Sequence, residues 1–286
     1  MRSSAAGRRS PLVDEIAAVV GSAVEARWIV EHDGTGGSHA LAARRAAGEP
    51  LQYVLGRWPF RSLELTVDRR ALIPRPETEQ VVEVALAELL RLTGAPGASA
   101  PGPVCVDLGT GTGAIALSLA VEGGRICPGL EVWATDTSAD ALSLARENLA
   151  VLAGTDEPAA ARVRWAEGRW FDALPGELVG QVALVVANPP YVARADYPGL
   201  DPTVRDWEPK SALVAADGSG GVGGMADIEA IIAGAPDWLR RPGTVVVEIA
   251  PEQAGACIGA AHRAGCDQVT TSRDLAGRTR VLVARW

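Results

Sequence analysis

The chain has 286 residues, and its 27 lysines and arginines stand against 35 aspartates and glutamates, so the formal net charge is −8. Apolar residues make up 48% and charged residues 22%, as in an ordinary globular protein, which argues against disorder, collagen or a coiled coil. No uninterrupted apolar stretch approaches the ~18 residues that a membrane helix needs, so we expect no integral membrane protein. The acidic balance also argues against a protein that holds nucleic acid by bulk charge.

Cysteine and histidine usage gives no sign of a metal site or a disulfide framework. The four cysteines form no C-x-x-C pair, and the three histidines fall in unrelated places; the cysteines are Cys105, Cys127, Cys257 and Cys266. Thiols without disulfides are typical of the cytosol, so the sequence predicts a cytoplasmic protein.

The first part of the chain predicts helices over 11–47. Apolar residues recur there at helical spacing from Ile16 to Val24, a break follows at 33–37, and a second helix is expected at about 38–47. Alternating apolar residues between 60 and 67, with a second extended piece from 71 to 73, then predict a small β-hairpin.

The rest of the chain predicts a helix over 77–93 and then alternating strands and helices. Seven strands are expected, at 104–108, 131–135, 163–166, 182–187, 244–249, 267–271 and 280–284. Helices are expected at about 114–122, 138–152, 225–239 and 251–264. Continuously apolar strands indicate a parallel α/β sheet with both faces buried, and the last two strands, which have no helix between them, predict an antiparallel pair. Five of the eight residues at 217–224 are glycine, so we expect a mobile loop there.

A glycine-rich motif, Asp107-Leu108-Gly109-Thr110-Gly111-Thr112-Gly113, lies between a predicted strand and a predicted helix. Asp136 ends the next strand 23 residues later, where a carboxylate can accept both hydroxyls of a ribose. The pair indicates a ligand that contains a nucleoside. Because the motif also satisfies G-x-G-x-x-A, an NAD site stays possible. Asp107 favours S-adenosylmethionine, because an acid before the glycines can bind its ammonium group and would repel a pyrophosphate.

A second motif, Asn188-Pro189-Pro190-Tyr191, follows the fourth predicted strand of the sheet. Ligands of doubly wound sheets bind beyond the carboxyl ends of the strands, so this motif should face the same cleft as the glycines. Two prolines hold the backbone rigid and present carbonyl oxygens without competing N–H groups, and the asparagine adds a side-chain acceptor. Such acceptors can bind both hydrogens of a planar –NH₂ group, with the tyrosine ring holding a flat substrate.

Together these motifs resemble class I S-adenosylmethionine-dependent methyltransferases that act on planar amino nitrogens. Two subclasses carry N-P-P-Y, the adenine-N6 and the protein-glutamine-N5 methyltransferases. Further stretches from about residue 44 onward resemble the enzymes that methylate the glutamine of the Gly-Gly-Gln motif in peptide-chain release factors. These stretches are 48–56 (GEPLQYVLG), 72–79 (LIPRPETE), Glu208-Pro209 with Ala212-Leu213, 224–228 (GMADI) and 273–278 (RDLAGR).

The resemblance implies an α/β fold: a Rossmann-like, seven-stranded, mostly parallel methyltransferase sheet with a small N-terminal helical domain and a linking β-hairpin. We expect a helical domain for substrate docking at 1–55, the hairpin linker at 56–75 and the methyltransferase domain at 76–286. The region before Gly48 is shorter than the family's usual N-terminal domain, and the glycine run at 217–224 resembles an insertion in a shorter loop.

The resemblance also implies the cofactor, the partner and the site residues. The cofactor would be S-adenosyl-L-methionine, which leaves as S-adenosyl-L-homocysteine, and the substrate a class I release factor. The residues implied in cofactor binding are Asp107, Gly109, Thr110, Gly111, Thr112, Gly113, Asp136, Trp170 and Asn188. Asp136 would bind the ribose, Trp170 would lie at the adenine, and Asn188, Pro189, Pro190 and Tyr191 would hold the glutamine amide. Arg169 stands where the family commonly has an acidic residue.

Other functions stay open on the sequence alone. A glutamine methyltransferase with another protein substrate would look much the same. An adenine-N6 methyltransferase shares the amino-nitrogen chemistry, but the net charge of −8 and the absence of a target-recognition segment argue against it. A non-catalytic binding protein or a nicotinamide dehydrogenase is a weaker interpretation. We expect a monomer without a metal, a membrane or a nucleic-acid partner.

Overall fold

A computed structural model describes residues 10–33, 36–94, 102–216, 218 and 222–286. Four helices come first: α1 (Pro11–Val20), α2 (Ala23–His32), α3 (Ser38–Ala46) and α4 (Leu51–Leu55). Over residues 11–47 the sequence predicts two helices, whereas the structure has three, α1 to α3. Gly21 takes a left-handed conformation (φ 75°) that ends α1, and the Ser22 hydroxyl caps α2 by accepting from the Glu25 N–H. Buried apolar side chains hold these helices together: Ile16, Ala26, Ile29 and Ala42.

A two-stranded hairpin follows, in which β1 (Arg57–Phe60) pairs antiparallel with β2 (Leu63–Thr66). The expected position of the hairpin is wrong: the chain turns at Arg61 (φ 51°), inside the predicted stretch 60–67, and 71–73 forms no strand. The backbone N–H of Ile73 donates to the Glu208 carboxylate at 3.1 Å, and the Ala71 carbonyl accepts from the Tyr53 hydroxyl at 2.8 Å. These groups are therefore satisfied by side chains rather than by a strand partner.

The seven-stranded sheet that the sequence predicts is confirmed. Its strands are β3 (Val104–Leu108), β4 (Glu131–Asp136), β5 (Val163–Glu167), β6 (Val182–Ala187), β7 (Leu239–Glu248), β8 (Gln268–Arg273) and β9 (Thr279–Arg285). Their spatial order is β5-β4-β3-β6-β7-β9-β8, and β9 runs antiparallel to both of its neighbours. The sequence predicts the antiparallel pair but not the insertion of β9 between β7 and β8. β7 also begins five residues earlier than expected, at Leu239 instead of residue 244.

Helices cover both faces of this sheet. The α-helices that follow the hairpin are α5 (Pro76–Thr93), α6 (Ala114–Ser118), α7 (Gly124–Ile126), α8 (Ala139–Ala153), α9 (Glu157–Ala160), α10 (Pro202–Arg205), α11 (Lys210–Leu213), α12 (Ala226–Trp238) and α13 (Ala254–Arg263). The helix expected at 114–122 is interrupted by a π-helical turn at Leu119–Gly123, beside two glycines that favour the α-helix poorly. None of the helices in the described residues combines the length and the apolar character that crossing a membrane would require.

The strand order positions the site. From β3 the chain continues to β4 on one side, whereas β6 lies on the other, so the direction of winding reverses between β3 and β6. Ligands of open α/β sheets bind at such a point, beyond the carboxyl ends of the strands. The mobile loop expected at 217–224 lies partly outside the described residues, namely at 217 and 219–221.

Candidate active site

One cavity lies over the carboxyl ends of β3 to β6 and collects most of the residues that the sequence predicts. The predicted residues that line it are Gly109, Thr110, Gly111, Thr112, Asp136, Trp170, Asn188 and Pro190. A second cavity adjoins the first and is lined by Pro189 and Tyr191. Asn188 lines both cavities, so it stands at their junction.

The glycine loop after β3 is held by the neighbouring strand. The N–H groups of Gly109 and Thr110 both donate to the Thr135 carbonyl, at 2.9 and 2.8 Å. Gly109 has a φ of 77°, and a Cβ there would lie 3.2 Å from the Trp170 ring. The loop therefore needs glycine both for its left-handed backbone and for the aromatic side chain that lies against it.

Asp136 is half-buried at the end of β4 and lines the first cavity. Its Oδ2 accepts from the Gly111 N–H at 3.0 Å and its Oδ1 from the Ser138 N–H at 2.9 Å. Burial raises the pKa of this carboxyl, while the backbone N–H groups act in the opposite direction. A carboxylate has about four lone-pair sites, so each oxygen can accept one further hydrogen bond from a ligand hydroxyl.

Asp107 lies behind the glycine loop and is fully buried. Its Oδ2 accepts from the Thr110 hydroxyl at 2.6 Å and from the Ala116 N–H at 3.1 Å. Its Oδ1 has no hydrogen-bond partner among the described residues. Asp107 thus connects the loop to α6, and its contact with a ligand ammonium stays a prediction.

Burial raises the pKa of Asp107 to about 7. A carboxyl whose folded pKa lies above its unfolded value stabilises the fold fully below pH ~4 and loses that contribution as the pH rises toward 7. We therefore expect the unfolding free energy of Asp107→Asn, relative to wild type, to increase between pH 4 and 7, by up to ~1.4 kcal/mol per pH unit. Denaturant unfolding at several pH values measures this difference, with the exposed Asp237→Asn as control. A difference that stays constant with pH would contradict a titrating Asp107.

Trp170 follows β5 and lines the first cavity in a left-handed backbone conformation, with a φ of 47°. Tryptophan adopts this conformation at a cost of about 1–3 kcal/mol, and such strained residues cluster at functional sites. Its indole Nε1 is buried without a hydrogen-bond partner in the described part of the chain. The neighbouring Arg169 forms an ion pair of 2.8 Å with Asp227, and both residues line the same cavity.

One polar atom of the Asn188 side chain is hydrogen-bonded, and the other has no partner among the described residues. Its Nδ2 donates to the Thr78 hydroxyl at 3.2 Å. Its Oδ1 is buried, and none of the described residues donates a hydrogen bond to it. The polar atom of Asn188 that is left without a partner in the described part of the chain is therefore an acceptor, and its contact with an –NH₂ group stays a prediction.

The chemistry of the sequence motifs does not predict several residues that surround N-P-P-Y in the structure. The Gln253 Nε2 donates to the carbonyls of Tyr191 and Gly223, at 3.0 and 3.1 Å. Thr78 and Glu248 lie beneath the motif and are described below. Thr78 and Gly224 do fall within stretches that resemble the family, which is the signal that could have found them.

Gly224 packs directly against the N-P-P-Y loop. Its φ is 72°, and a Cβ there would lie 2.1 Å from the Tyr191 carbonyl oxygen. We expect Gly224→Ala to lower the unfolding free energy by roughly 2 kcal/mol and to lower catalytic efficiency more than about tenfold, because the loop must shift. Gly199→Ala, where a Cβ meets open space, is the matched control. Thermal unfolding and steady-state rates measure both, and equal behaviour of the two variants would contradict the packing argument.

The residues of the first cavity fit a cofactor that contains a nucleoside. Asp136 supplies acceptors for hydroxyls, Trp170 supplies an aromatic face with an unpartnered N–H, and the glycine loop allows close approach of a ligand to the backbone. Among the described residues, no group of three or more His, Cys, Asp or Glu side chains is arranged to hold a metal ion.

Comparisons with known proteins identify the family of this chain. The family model "Methyltransferase small domain" matches residues 98–198. The chain is 39% identical over 261 residues to a release factor glutamine methyltransferase of Bordetella pertussis, covering 89% of this chain and 87% of the relative. It is 40% identical to the protein of the same name from Escherichia coli K12, covering 86% and 79%. A solved release factor-specific protein-(glutamine-N5) methyltransferase from Alicyclobacillus acidocaldarius aligns at 26% identity with a TM-score of 0.41, covering 77% and 98%. The extent of the identity to the curated relatives shows that this chain belongs to the release factor glutamine methyltransferase family.

Proposed function

We propose that this protein transfers a methyl group from S-adenosylmethionine to the side-chain amide nitrogen (N5) of the Gly-Gly-Gln glutamine in a class I release factor. The observation that carries the proposal is the Asn188 side chain: the residue lines both cavities, and its Oδ1 has no hydrogen-bond partner among the described residues. An acceptor in that position suits a planar –NH₂ group, and the names of the curated relatives supply the glutamine of a release factor.

The first cavity would hold the cofactor. Gly109 to Gly113 would contact its methionine part, Asp136 its ribose and Trp170 its adenine; of these residues only Gly113, the N-cap of α6, does not line the cavity. S-adenosylmethionine supplies a methyl group that is already activated on a sulfonium, so no covalent intermediate with the protein is needed. The task of the chain is to align the amide nitrogen with that methyl group at ~3–3.5 Å before reaction.

The N-P-P-Y motif would hold the glutamine amide. Asn188 Oδ1 and the Pro189 carbonyl would accept its two hydrogens, while Tyr191 packs against its plane and Pro190 keeps the loop rigid. Accepting both hydrogens pushes electron density toward a nitrogen whose lone pair is otherwise delocalised. The surplus proton leaves easily because an N-protonated amide is a strong acid, so we expect no dedicated base.

Mass spectrometry of a class I release factor, incubated with this protein and S-adenosylmethionine, tests the proposal. We expect a gain of one methyl group, about 14 Da, on the Gly-Gly-Gln peptide. No gain with the cofactor still bound by calorimetry would keep the chemistry and direct the search to another glutamine-bearing protein. No gain and no binding would overturn the proposal.

We further propose that the protein acts in the cytoplasm. The four thiols are free, which suits a reducing compartment.

We also propose that the N-terminal helices, within residues 1–55, dock the release factor. Deletion of these helices should raise KM for the intact release factor far more than KM for a short Gly-Gly-Gln peptide. Equal effects on both substrates would contradict a docking role.

A further inference from the structure

A buried carboxylate connects the two ends of the N-P-P-Y motif from below. Glu248 ends β7 and is 1% exposed. Its Oε2 accepts from the Thr78 hydroxyl at 2.7 Å, and its Oε1 accepts from the Tyr191 hydroxyl at 3.4 Å. Thr78, in the first turn of α5, in turn accepts from Asn188 Nδ2. One carboxylate thus reaches Tyr191 directly and Asn188 through one hydroxyl.

The direction of these hydrogen bonds follows from the charge of Glu248. An ionised carboxylate only accepts hydrogen bonds, so Thr78 must give it its single hydroxyl proton. The Thr78 oxygen then has only lone pairs to offer Asn188, and only the NH₂ end of the asparagine amide can use them. The oxygen end of the amide is left as the open atom.

Because Glu248 and Thr78 are buried, reversing the direction of these hydrogen bonds would be costly. Thr78 is 3% exposed, so a wrongly oriented amide would leave polar atoms unpaired away from water, which costs more than a lost hydrogen bond at the surface. Burial raises the pKa of Glu248 to about 6, with Arg280 acting in the opposite direction, so the carboxylate is largely ionised at pH 7.5. Burial also raises the pKa of Tyr191, which keeps its hydroxyl as a donor.

We propose that Glu248 and Thr78 are positioning residues that set the orientation of the Asn188 amide, so that Oδ1 and not Nδ2 faces the substrate. This inference rests on the proposed function. Without the Thr78 hydroxyl, the amide can turn over and present two N–H donors to the glutamine –NH₂ group, which also carries donors. The substrate then loses an acceptor and meets a repulsive contact.

The test compares Thr78→Val, which keeps the shape and removes the hydroxyl, with Thr78→Ser, which keeps the hydroxyl. Initial rates with a Gly-Gly-Gln peptide should show kcat about 10–100-fold lower in Thr78→Val, with the dissociation constant for S-adenosylmethionine changed less than about threefold. Thr78→Ser should recover most of the lost kcat. Thr93→Val, at the other end of the same helix, is the control for threonine removal as such.

A double-mutant cycle separates positioning from simple loss of packing. In the Asn188→Ala background there is no amide to orient, so Thr78→Val should lower kcat no further. Glu248→Gln, which removes the charge and keeps the size, should also lower kcat, and its effect should be smaller in the Thr78→Val background, where only the direct contact with Tyr191 remains. If thermal unfolding shows that Thr78→Val does not fold, Glu248→Gln provides the test in its place.

The outcomes distinguish this inference from the proposed function. A wild-type enzyme that methylates the peptide, together with a Thr78→Val variant of unchanged kcat, would overturn the positioning role alone. Additive effects of Thr78→Val and Asn188→Ala would overturn it as well. A wild-type enzyme that binds the cofactor but methylates no Gly-Gly-Gln peptide would overturn the proposed function, and the inference with it.

Discussion

Replacing Asn188 with alanine is expected to lower kcat for glutamine methylation by about 10²–10³-fold, the usual cost of removing one preorganised polar group that acts on the reacting centre. The reason is its Oδ1, an acceptor without a hydrogen-bond partner among the described residues, on a residue that lines both cavities. Single-turnover rates with saturating cofactor measure the effect on the chemical step. The affinity for S-adenosylmethionine, measured by calorimetry, should change little, because most residues proposed to hold it lie elsewhere in the first cavity.

Gln181→Ala is the matched control for this prediction. Gln181 carries the same amide group and is exposed just before β6, at the opposite end of the strand that leads to Asn188. The control should keep the wild-type rate. If Asn188→Ala methylates the peptide within a few-fold of wild type, the acceptor role assigned to Asn188 is wrong.

The second large effect is expected at Asp136, where alanine should weaken S-adenosylmethionine binding by at least about 100-fold. Two hydrogen bonds from ribose hydroxyls to a charged group are worth about 1.5–3 kcal/mol each, and every 1.4 kcal/mol is a factor of ten in the dissociation constant. The same carboxylate also holds the Gly111 and Ser138 N–H groups, so the glycine loop should loosen as well. At saturating cofactor, kcat should fall far less than in Asn188→Ala.

Asp140→Asn serves as the control for charge, because Asp140 is exposed in the first turn of α8, four residues beyond Asp136. Calorimetric titration of both variants shows whether Asp136 contributes to cofactor binding. If both variants keep the wild-type affinity for the cofactor, Asp136 does not bind it. A loss in both would indicate a general effect of negative charge at this edge of the sheet.

The Arg169–Asp227 ion pair bears on the one position of the site where the family resemblance predicts an acidic residue instead of arginine. Arg169 is paired with Asp227 at 2.8 Å, and both line the first cavity. The arginine charge is therefore balanced locally, and a carboxylate remains at this part of the cavity although it comes from a different element, α12.

What the sequence determined by itself is local. The glycine loop, the Asp136 carboxylate and the N-P-P-Y motif each follow a strand whose apolar run is visible in the sequence, such as Val182–Ala187. Because parallel strands end at one edge of a sheet, predicting the strands was enough to expect these motifs in one cleft. The seven strands, their mostly parallel sheet and the family follow from such signals.

The tertiary structure decided everything that depends on contacts between distant residues. Thr78 and Glu248 are 170 positions apart, and no periodicity in the chain pairs a threonine at a helix start with a glutamate at a strand end. Asp107 illustrates the same point, since its contact with a ligand stays a prediction, whereas its hydrogen bonds with Thr110 and Ala116 are seen only in the fold. The piece expected at 71–73 does not pair as a second hairpin strand, and Glu208, far along the chain, accepts from the Ile73 N–H instead. A backbone or side-chain polar group takes whichever partner the packed fold brings near it, and only the three-dimensional structure specifies that partner.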